Sequence, residues 1–143
     1  MTNTLHLERL INCSLTRAWD LWTQPDHLKN WFFPNDIRIV TSDFAPLANK
    51  TWRTEMQGLD SGTPFPVSGT FETVDPPTTL IFTHGWEDET GAIATLTRVT
   101  VTLEPVGDQT RITLVQEGLA TPESRDNHAD GWSQVLNNLE SYA

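Results

Sequence analysis

The segment TPESRDNHADGWSQVLNNLESYA, residues 121–143, has the pattern of an amphipathic α-helix. Its apolar positions recur three to four residues apart, which places them on one side of a helix. Thr121 suits the N-cap, and Pro122 suits the first helical position, where a missing N–H costs nothing. The side predicted to face the interior comprises His128, Trp132, Val135, Leu136, Leu139 and Ala143. The side predicted to face water comprises Asp126, Asn127, Asp130, Ser133, Asn137 and Glu140.

Most of the chain before this helix has the alternating pattern of β-strands. Residues 5–11 indicate a first strand, and Ser14 and Pro25 each suit the start of a short helix. Between residues 37 and 118, short alternating stretches are separated by glycine and proline turns, which predicts antiparallel pairing of consecutive strands. We therefore predict an α+β fold in which a curved antiparallel β-sheet wraps around the long C-terminal α-helix. Two short helices follow the first strand, and a pocket lies between sheet and helix.

Composition and charge narrow the class of protein. The 143 residues are 37% hydrophobic and 20% charged, which predicts a single domain over residues 1–143. A formal net charge of −10 argues against binding to nucleic acid or to an anionic membrane. Cys13 is the only cysteine, and the N-terminus lacks the basic and apolar regions of a secretory signal, so a cytoplasmic location is expected. The chain is compatible with a monomer or a homodimer.

Several motifs occur along the whole chain in a fixed order. They are AW at 18–19, PDHL at 25–28, FETVDPP at 71–77, LIFT at 80–83, TRITL at 110–114, and GW at 131–132 after His128. In this order they resemble the SRPBCC (START-like) superfamily and, within it, the family named for the C-terminal domain of the heat-shock protein 90 ATPase activator. The resemblance implies a helix-grip fold with a mostly apolar cavity under the C-terminal helix. Family members usually carry Gly-Gly where this chain has Ala48-Asn49.

A set of aromatic residues falls at positions predicted to point inward. They form either a packed core or the wall of a cavity. An empty void of about 200 Å³ would cost about 5 kcal/mol, so a cavity here is expected to be small, wet or filled by a ligand. The set comprises Trp31, Phe44, Trp52, Phe71, Phe82, Trp86 and Trp132.

Three polar residues are the best candidates to orient a ligand in this cavity. His84, Gln116 and His128 could bind a carbonyl or hydroxyl group, although a histidine hydrogen-bonded within the core is the alternative for each ring. For acid–base chemistry the best pairing is His84 with Glu55 or Asp43, which requires hydrogen-bond distances that a sequence does not give. No histidine or cysteine pair has the spacing of a zinc site, so we expect neither a metal nor a cofactor.

The leading hypothesis from the sequence is a protein that binds a small apolar or amphipathic molecule, without an assigned reaction. A co-chaperone that regulates a heat-shock ATPase follows from the family name and is the second hypothesis. A cyclase, aromatase or lyase that uses His84 or His128 in the same pocket is the third. The predicted ligand-binding residues are Trp31, Phe44, Trp52, Phe71, Phe82, His84, Trp86, Gln116, His128 and Trp132.

Overall fold

The computed structural model describes residues 3–143, which form seven strands and three α-helices. In chain order these are β1 (Asn3–Ile11), α1 (Leu15–Thr23), α2 (Pro25–Leu28), β2 (Ile37–Ser42), β3 (Thr51–Gly58), β4 (Pro64–Asp75), β5 (Thr79–Trp86), β6 (Thr97–Val106), β7 (Gln109–Leu119) and α3 (Pro122–Tyr142). Within this range, no helix is long and apolar enough to cross a membrane.

The strands form a single antiparallel sheet in the order β1-β7-β6-β5-β4-β3-β2. Strands β2 to β7 follow one another as a meander because each is joined to the next by a turn or loop. The first strand instead pairs with the last, with Leu7 opposite Leu114. The predicted α+β helix-grip fold is confirmed: a curved sheet, two short helices after β1, and a long C-terminal helix.

The inward face of the sheet and one side of α3 share the hydrophobic core. Val99 and Val101 on β6 and Leu114 on β7 are buried there, as their alternation predicts. Helix α3 buries Trp132, Val135, Leu136 and Leu139. The prediction that Ala143 faces the interior was wrong, because α3 ends at Tyr142 and Ala143 is exposed.

Helix α3 is fixed at its start and along its length. The Thr121 side chain accepts a hydrogen bond from the Ser124 N–H over 3.0 Å, which is the predicted N-cap. Arg9 on β1 donates to Ser133 Oγ over 2.8 Å and lies 3.4 Å from a Glu140 carboxylate oxygen. These contacts set the position of the helix across the edge of the sheet.

The two short helices form a second aromatic layer beside the sheet. Ser14 caps α1 by accepting a hydrogen bond from Arg17 N, as predicted. The Trp22 and Trp31 rings meet edge to face with centroids 4.8 Å apart. Trp31 Nε1 donates to the Leu21 carbonyl over 3.1 Å. Trp31 is therefore part of the packing between the short helices.

The turn before β3 accommodates Ala48-Asn49 where the resemblance implied a Gly-Gly pair. Asn49 has φ of 65°, in the left-handed region that asparagine tolerates better than most residues. Its N–H donates to the Phe71 carbonyl over 2.9 Å, and the Lys50 carbonyl accepts from the Phe71 N–H over 2.9 Å. The turn is thereby held against β4.

We expect Asn49→Ala to lower the free energy of unfolding by about 1 kcal/mol, because alanine pays the full cost of the left-handed conformation. Asn49→Gly should be neutral or stabilising, since glycine pays none of it. Urea denaturation of both variants measures the difference, with Lys50→Ala as a control at the exposed neighbouring position. Equal stability of the alanine and glycine variants would contradict this account of the turn.

Candidate functional site

A pocket of about 260 Å³ lies between the inward face of the sheet and α3, and it opens to the surface. Strands β3, β4 and β5 supply one side of it, the N-terminal half of α3 the other, and residues 32–34 close one end. The lining residues are Phe32, Phe33, Pro34, Trp52, Thr54, Met56, Val67, Phe82, His84, Trp86, Asn127, His128, Gly131, Trp132 and Val135. We refer to these residues together as the wall.

Two residues of the wall mark the opening of the pocket. Trp86 at the end of β5 is 39% exposed, and Asn127 on α3 is also exposed, whereas the rest of the wall is buried or half-buried. We call Trp86 and Asn127 the mouth. Behind the mouth, Trp52 and Phe82 are buried, with ring centroids 5.9 Å apart. The aromatic side chains thus leave an open hollow in part of the interior.

Two hydrogen bonds attach the segment 32–34 and the following residue, Asn35, to α3. Asn138 Nδ2 donates to the Phe33 carbonyl over 2.9 Å, and the Asn35 N–H donates to Gln134 Oε1 over 3.0 Å. Phe32 packs against Trp132, with ring centroids 5.8 Å apart. This irregular segment therefore forms a fixed end of the pocket.

A fully buried amide lies directly behind the wall. Trp132 Nε1 donates to Gln116 Oε1 over 2.8 Å. Because an indole nitrogen can only donate, this bond fixes the orientation of the amide, and Gln116 Nε2 must act as the donor on its other side. Gln116 Nε2 donates to Thr97 Oγ1 over 2.9 Å, and Thr97 Oγ1 in turn donates to the His84 carbonyl over 2.7 Å. The chain of hydrogen bonds links α3, β7, β6 and β5.

The same amide determines which nitrogen of His84 carries the proton. Gln116 Nε2 lies 3.4 Å from His84 Nδ1, and since the amide nitrogen donates, Nδ1 accepts. The proton of the neutral ring is then on Nε2. Burial lowers the pKa of His84 from 6.5 to about 3, and the nearby His128 contributes to the decrease. His84 is therefore a neutral hydrogen-bond donor on the wall.

His128 is held in the opposite tautomer. Trp86 Nε1 donates to His128 Nε2 over 2.9 Å, so this nitrogen accepts. His128 Nδ1 donates to the Ser124 carbonyl over 2.7 Å. Both nitrogens of His128 are thus engaged, and the bond to Trp86 joins β5 to α3 at the mouth. The wall contains no lysine, arginine or carboxylate side chain.

The structure brings most of the predicted site residues together. Trp52, Phe82, His84, Trp86, His128 and Trp132 belong to the wall, and Gln116 lies behind it. Trp31, Phe44 and Phe71 are buried and lie outside the wall of this pocket. Trp31 packs between the short helices, and Phe44 lies between the rings of Phe71 and Phe82, with centroids 4.9 and 5.2 Å away. These three rings fill space behind the wall.

Several wall residues were not predicted as site residues. Thr54 and Met56 alternate with Trp52 on β3, and Val135 lies on the buried side of α3. The sequence therefore predicted that these side chains point inward, but it did not predict that they line a pocket. Phe32, Phe33 and Pro34 follow α2 in a segment without periodicity. The remaining unpredicted residues are Val67, Asn127 and Gly131.

The two carboxylates considered as acid–base partners of His84 contact Arg53 instead. Asp43 Oδ1 accepts a hydrogen bond from Arg53 N, and the Glu55 carboxylate lies 3.9 Å from the Arg53 guanidinium. Arg53 also binds Glu87 over 3.1 Å, at the end of the β5 strand. Residues 3–143 contain no group of three or more histidine, cysteine or acidic side chains that could hold a metal ion.

The sequence model for activator of Hsp90 ATPase homolog 1-like proteins matches residues 12–143. The chain belongs to this family. Among solved structures, the AHSA1 protein of Silicibacter pomeroyi is 25% identical with a TM-score of 0.90, and the match covers 97% of this chain and 96% of that one. A protein of Chromobacterium violaceum is 22% identical, with a TM-score of 0.88 and coverage of 97% and 95%, and shares the fold. No curated protein matches the sequence.

Proposed function

We propose that this member of the AHSA1-like family binds a small apolar or amphipathic molecule in the pocket between the sheet and α3. The observation that carries the proposal is the pocket itself, an open hollow of about 260 Å³ whose wall is mostly aromatic and aliphatic. A few placed polar groups in an otherwise apolar, preformed site are typical of small-molecule binding. Water in such a pocket finds few hydrogen-bond partners, so an apolar ligand gains affinity by displacing it.

The size of the pocket limits the ligand. An apolar protein cavity of about 150 Å³ is large enough to bind benzene. The volume of about 260 Å³ here is less than twice as large. A molecule with one or two rings, or an aliphatic molecule of similar volume, fits these dimensions. A long acyl chain would have to extend past the mouth into solvent.

Binding can be tested with 2-ethylnaphthalene, a neutral two-ring hydrocarbon, in urea denaturation of the purified protein. At a free concentration one hundred times the dissociation constant, we expect the free energy of unfolding to increase by about 2.7 kcal/mol. Native mass spectrometry of freshly purified protein tests separately for a small molecule that co-purifies. An unchanged unfolding curve at the solubility limit of the probe, with no co-purified compound, would contradict the proposal.

Gly131 offers a way to fill the pocket without disturbing the core. It lies on α3 in the wall, and a Cβ added there would meet no other atom within 4 Å. Gly131→Ala and Gly131→Leu should each stabilise the helix by up to about 1 kcal/mol, because glycine is a poor helix former. The leucine side chain should also occupy the pocket and remove the stabilisation by 2-ethylnaphthalene. The alanine variant controls for the change in helix propensity. Undiminished binding by Gly131→Leu would place the ligand elsewhere.

The family description favours one other function, regulation of a heat-shock protein 90 ATPase. The same preparation tests it, by adding the protein to purified heat-shock protein 90 over a range of stoichiometries and measuring the ATPase rate. A change in rate that persists in Gly131→Leu would indicate a regulatory role that does not depend on the pocket.

A further inference from the structure

The wall presents an unpaired hydrogen-bond donor, the Nε2–H group of His84. His84 Nδ1 accepts from Gln116, which leaves Nε2–H without a partner among residues 3–143. Trp52 Nε1 also has no partner in this part of the chain, but this atom is buried and has no surface open to the pocket, so a ligand there would not reach it. The two rings are neighbours, with centroids 6.0 Å apart. Unpaired donors in a buried site favour a ligand that brings an acceptor.

Three other polar side chains of the wall already have partners within the protein. Trp86 Nε1 is bound to His128, and Trp132 Nε1 is bound to Gln116. Thr54 Oγ1 lies 2.9 Å from Ser42 Oγ. Asn127 is at the mouth, where its amide is exposed to solvent. His84, which is only 6% exposed and belongs to the wall, is thus the polar side chain best placed to bind a buried ligand group.

The charges of the site restrict the ligand further. The wall has no lysine or arginine side chain, and the whole chain has a net charge of −10, so transfer of a carboxylate from water into the pocket would be unfavourable. A cation would meet the positive end of the His84 Nε2–H group. A neutral acceptor, such as a ketone or aldehyde oxygen, satisfies this donor without either penalty.

We propose that the pocket selects an uncharged one- or two-ring molecule carrying a carbonyl-type acceptor, which accepts a hydrogen bond from His84 Nε2–H. This inference rests on the proposed function, because it specifies the class of ligand for the same pocket. His84 is the residue that distinguishes such a ligand from a hydrocarbon of the same shape. The aromatic wall provides affinity for both compounds.

Three naphthalenes of similar shape test the inference by calorimetry: 2-acetylnaphthalene, 2-ethylnaphthalene and 2-naphthoate. Each dissociation constant is corrected with the partition coefficient of the compound between water and cyclohexane. This correction removes the difference in hydration free energy between the ketone and the hydrocarbon. We expect the corrected affinity of the ketone to exceed that of the hydrocarbon by about tenfold, the size of one net hydrogen bond. Naphthoate at pH 7.5 should bind most weakly.

Substitution of His84 assigns the preference to one side chain. In His84→Phe the ratio of ketone to hydrocarbon affinity should fall by about tenfold, and the hydrocarbon should still bind. His6→Phe, the same change at an exposed position on β1 outside the wall, should leave the ratio unchanged.

The infrared carbonyl stretch of bound 2-acetylnaphthalene provides a measurement that needs no variant. It should lie at lower frequency than in hexane.

Each outcome supports or overturns one of the two proposals. Binding of the hydrocarbon with no corrected preference for the ketone, or with a carbonyl stretch as in hexane, overturns the inference and leaves apolar binding in place. The tightest binding by naphthoate also overturns the inference. No binding of any of the three compounds overturns the proposed function as well.

Discussion

Replacing Gln116 with leucine is expected to lower the free energy of unfolding by about 2–4 kcal/mol. The leucine keeps the volume of the side chain roughly constant but removes both hydrogen-bonding groups of the amide. Trp132 Nε1 would lose its acceptor at 2.8 Å and remain buried. His84 Nδ1 and Thr97 Oγ1 would lose the donor that they share. Buried groups left without partners cost about 1–3 kcal/mol each, and the loss of a polar amide from the interior offsets part of this.

Gln109→Leu provides a matched control for this prediction. Gln109 is on the same strand, is half-buried at the β6–β7 turn, and makes no side-chain hydrogen bond within residues 3–143. We expect that variant to change the free energy of unfolding by less than about 0.5 kcal/mol. Urea denaturation at pH 7.5 measures both variants. Similar stabilities for the two would mean that the amide of Gln116 contributes little to the fold.

Lowering the pH from 7.5 to 5 is expected to destabilise the protein by about 2 kcal/mol through His84 alone. Burial lowers the pKa of His84 from 6.5 to about 3 in the folded protein. Between these two values the unfolded chain binds a proton that the folded chain does not. The folded state therefore has its full stability above pH 6.5 and loses about 1.4 kcal/mol per pH unit as the pH falls toward 3.

The difference between wild type and His84→Phe isolates this contribution. His128 is the only titratable ring among the aromatic neighbours of His84, and it is present in both proteins. Hydrogen bonds from Arg98 lower the pKa of Glu72, and hydrogen bonds from Thr90 lower that of Asp88, so these carboxyl groups titrate below their usual range. At pH 5 the phenylalanine variant should lose about 2 kcal/mol less than the wild type. Parallel stability profiles for the two proteins would contradict the burial of a neutral His84.

The fold could be predicted because its main signals are periodic. The spacing of Trp132, Val135, Leu136 and Leu139 fixes the buried side of α3, and alternation fixes the inward residues of the strands. The end of the helix was less predictable. Ala143 continues the stripe in the sequence, yet α3 ends one residue before it, because periodicity does not determine where a helix ends at a chain terminus.

The pocket was harder to predict than the fold, because burial and cavity lining have the same sequence signature. Phe44 and Trp52 both point inward, with ring centroids 5.1 Å apart, but only Trp52 lies in the wall. Which side of a cluster remains empty depends on the position of α3 and of the segment 32–34. These positions are set by tertiary hydrogen bonds, such as that from Asn138 to Phe33. The tautomer of His84 depends likewise on Gln116, which is distant in sequence.

The bond between Trp86 and His128 affects how rapidly a molecule could enter. It is one side-chain contact of 2.9 Å, and Trp86 is already partly exposed. Widening of the mouth would require only rotation of the Trp86 indole, and the hydrogen bonds between the strands would stay intact. Exposed side chains reorient in picoseconds to nanoseconds, whereas local unfolding takes microseconds to seconds. The rate at which a bound molecule dissociates should therefore be limited by the strength of its contacts with the wall and not by local unfolding of the sheet.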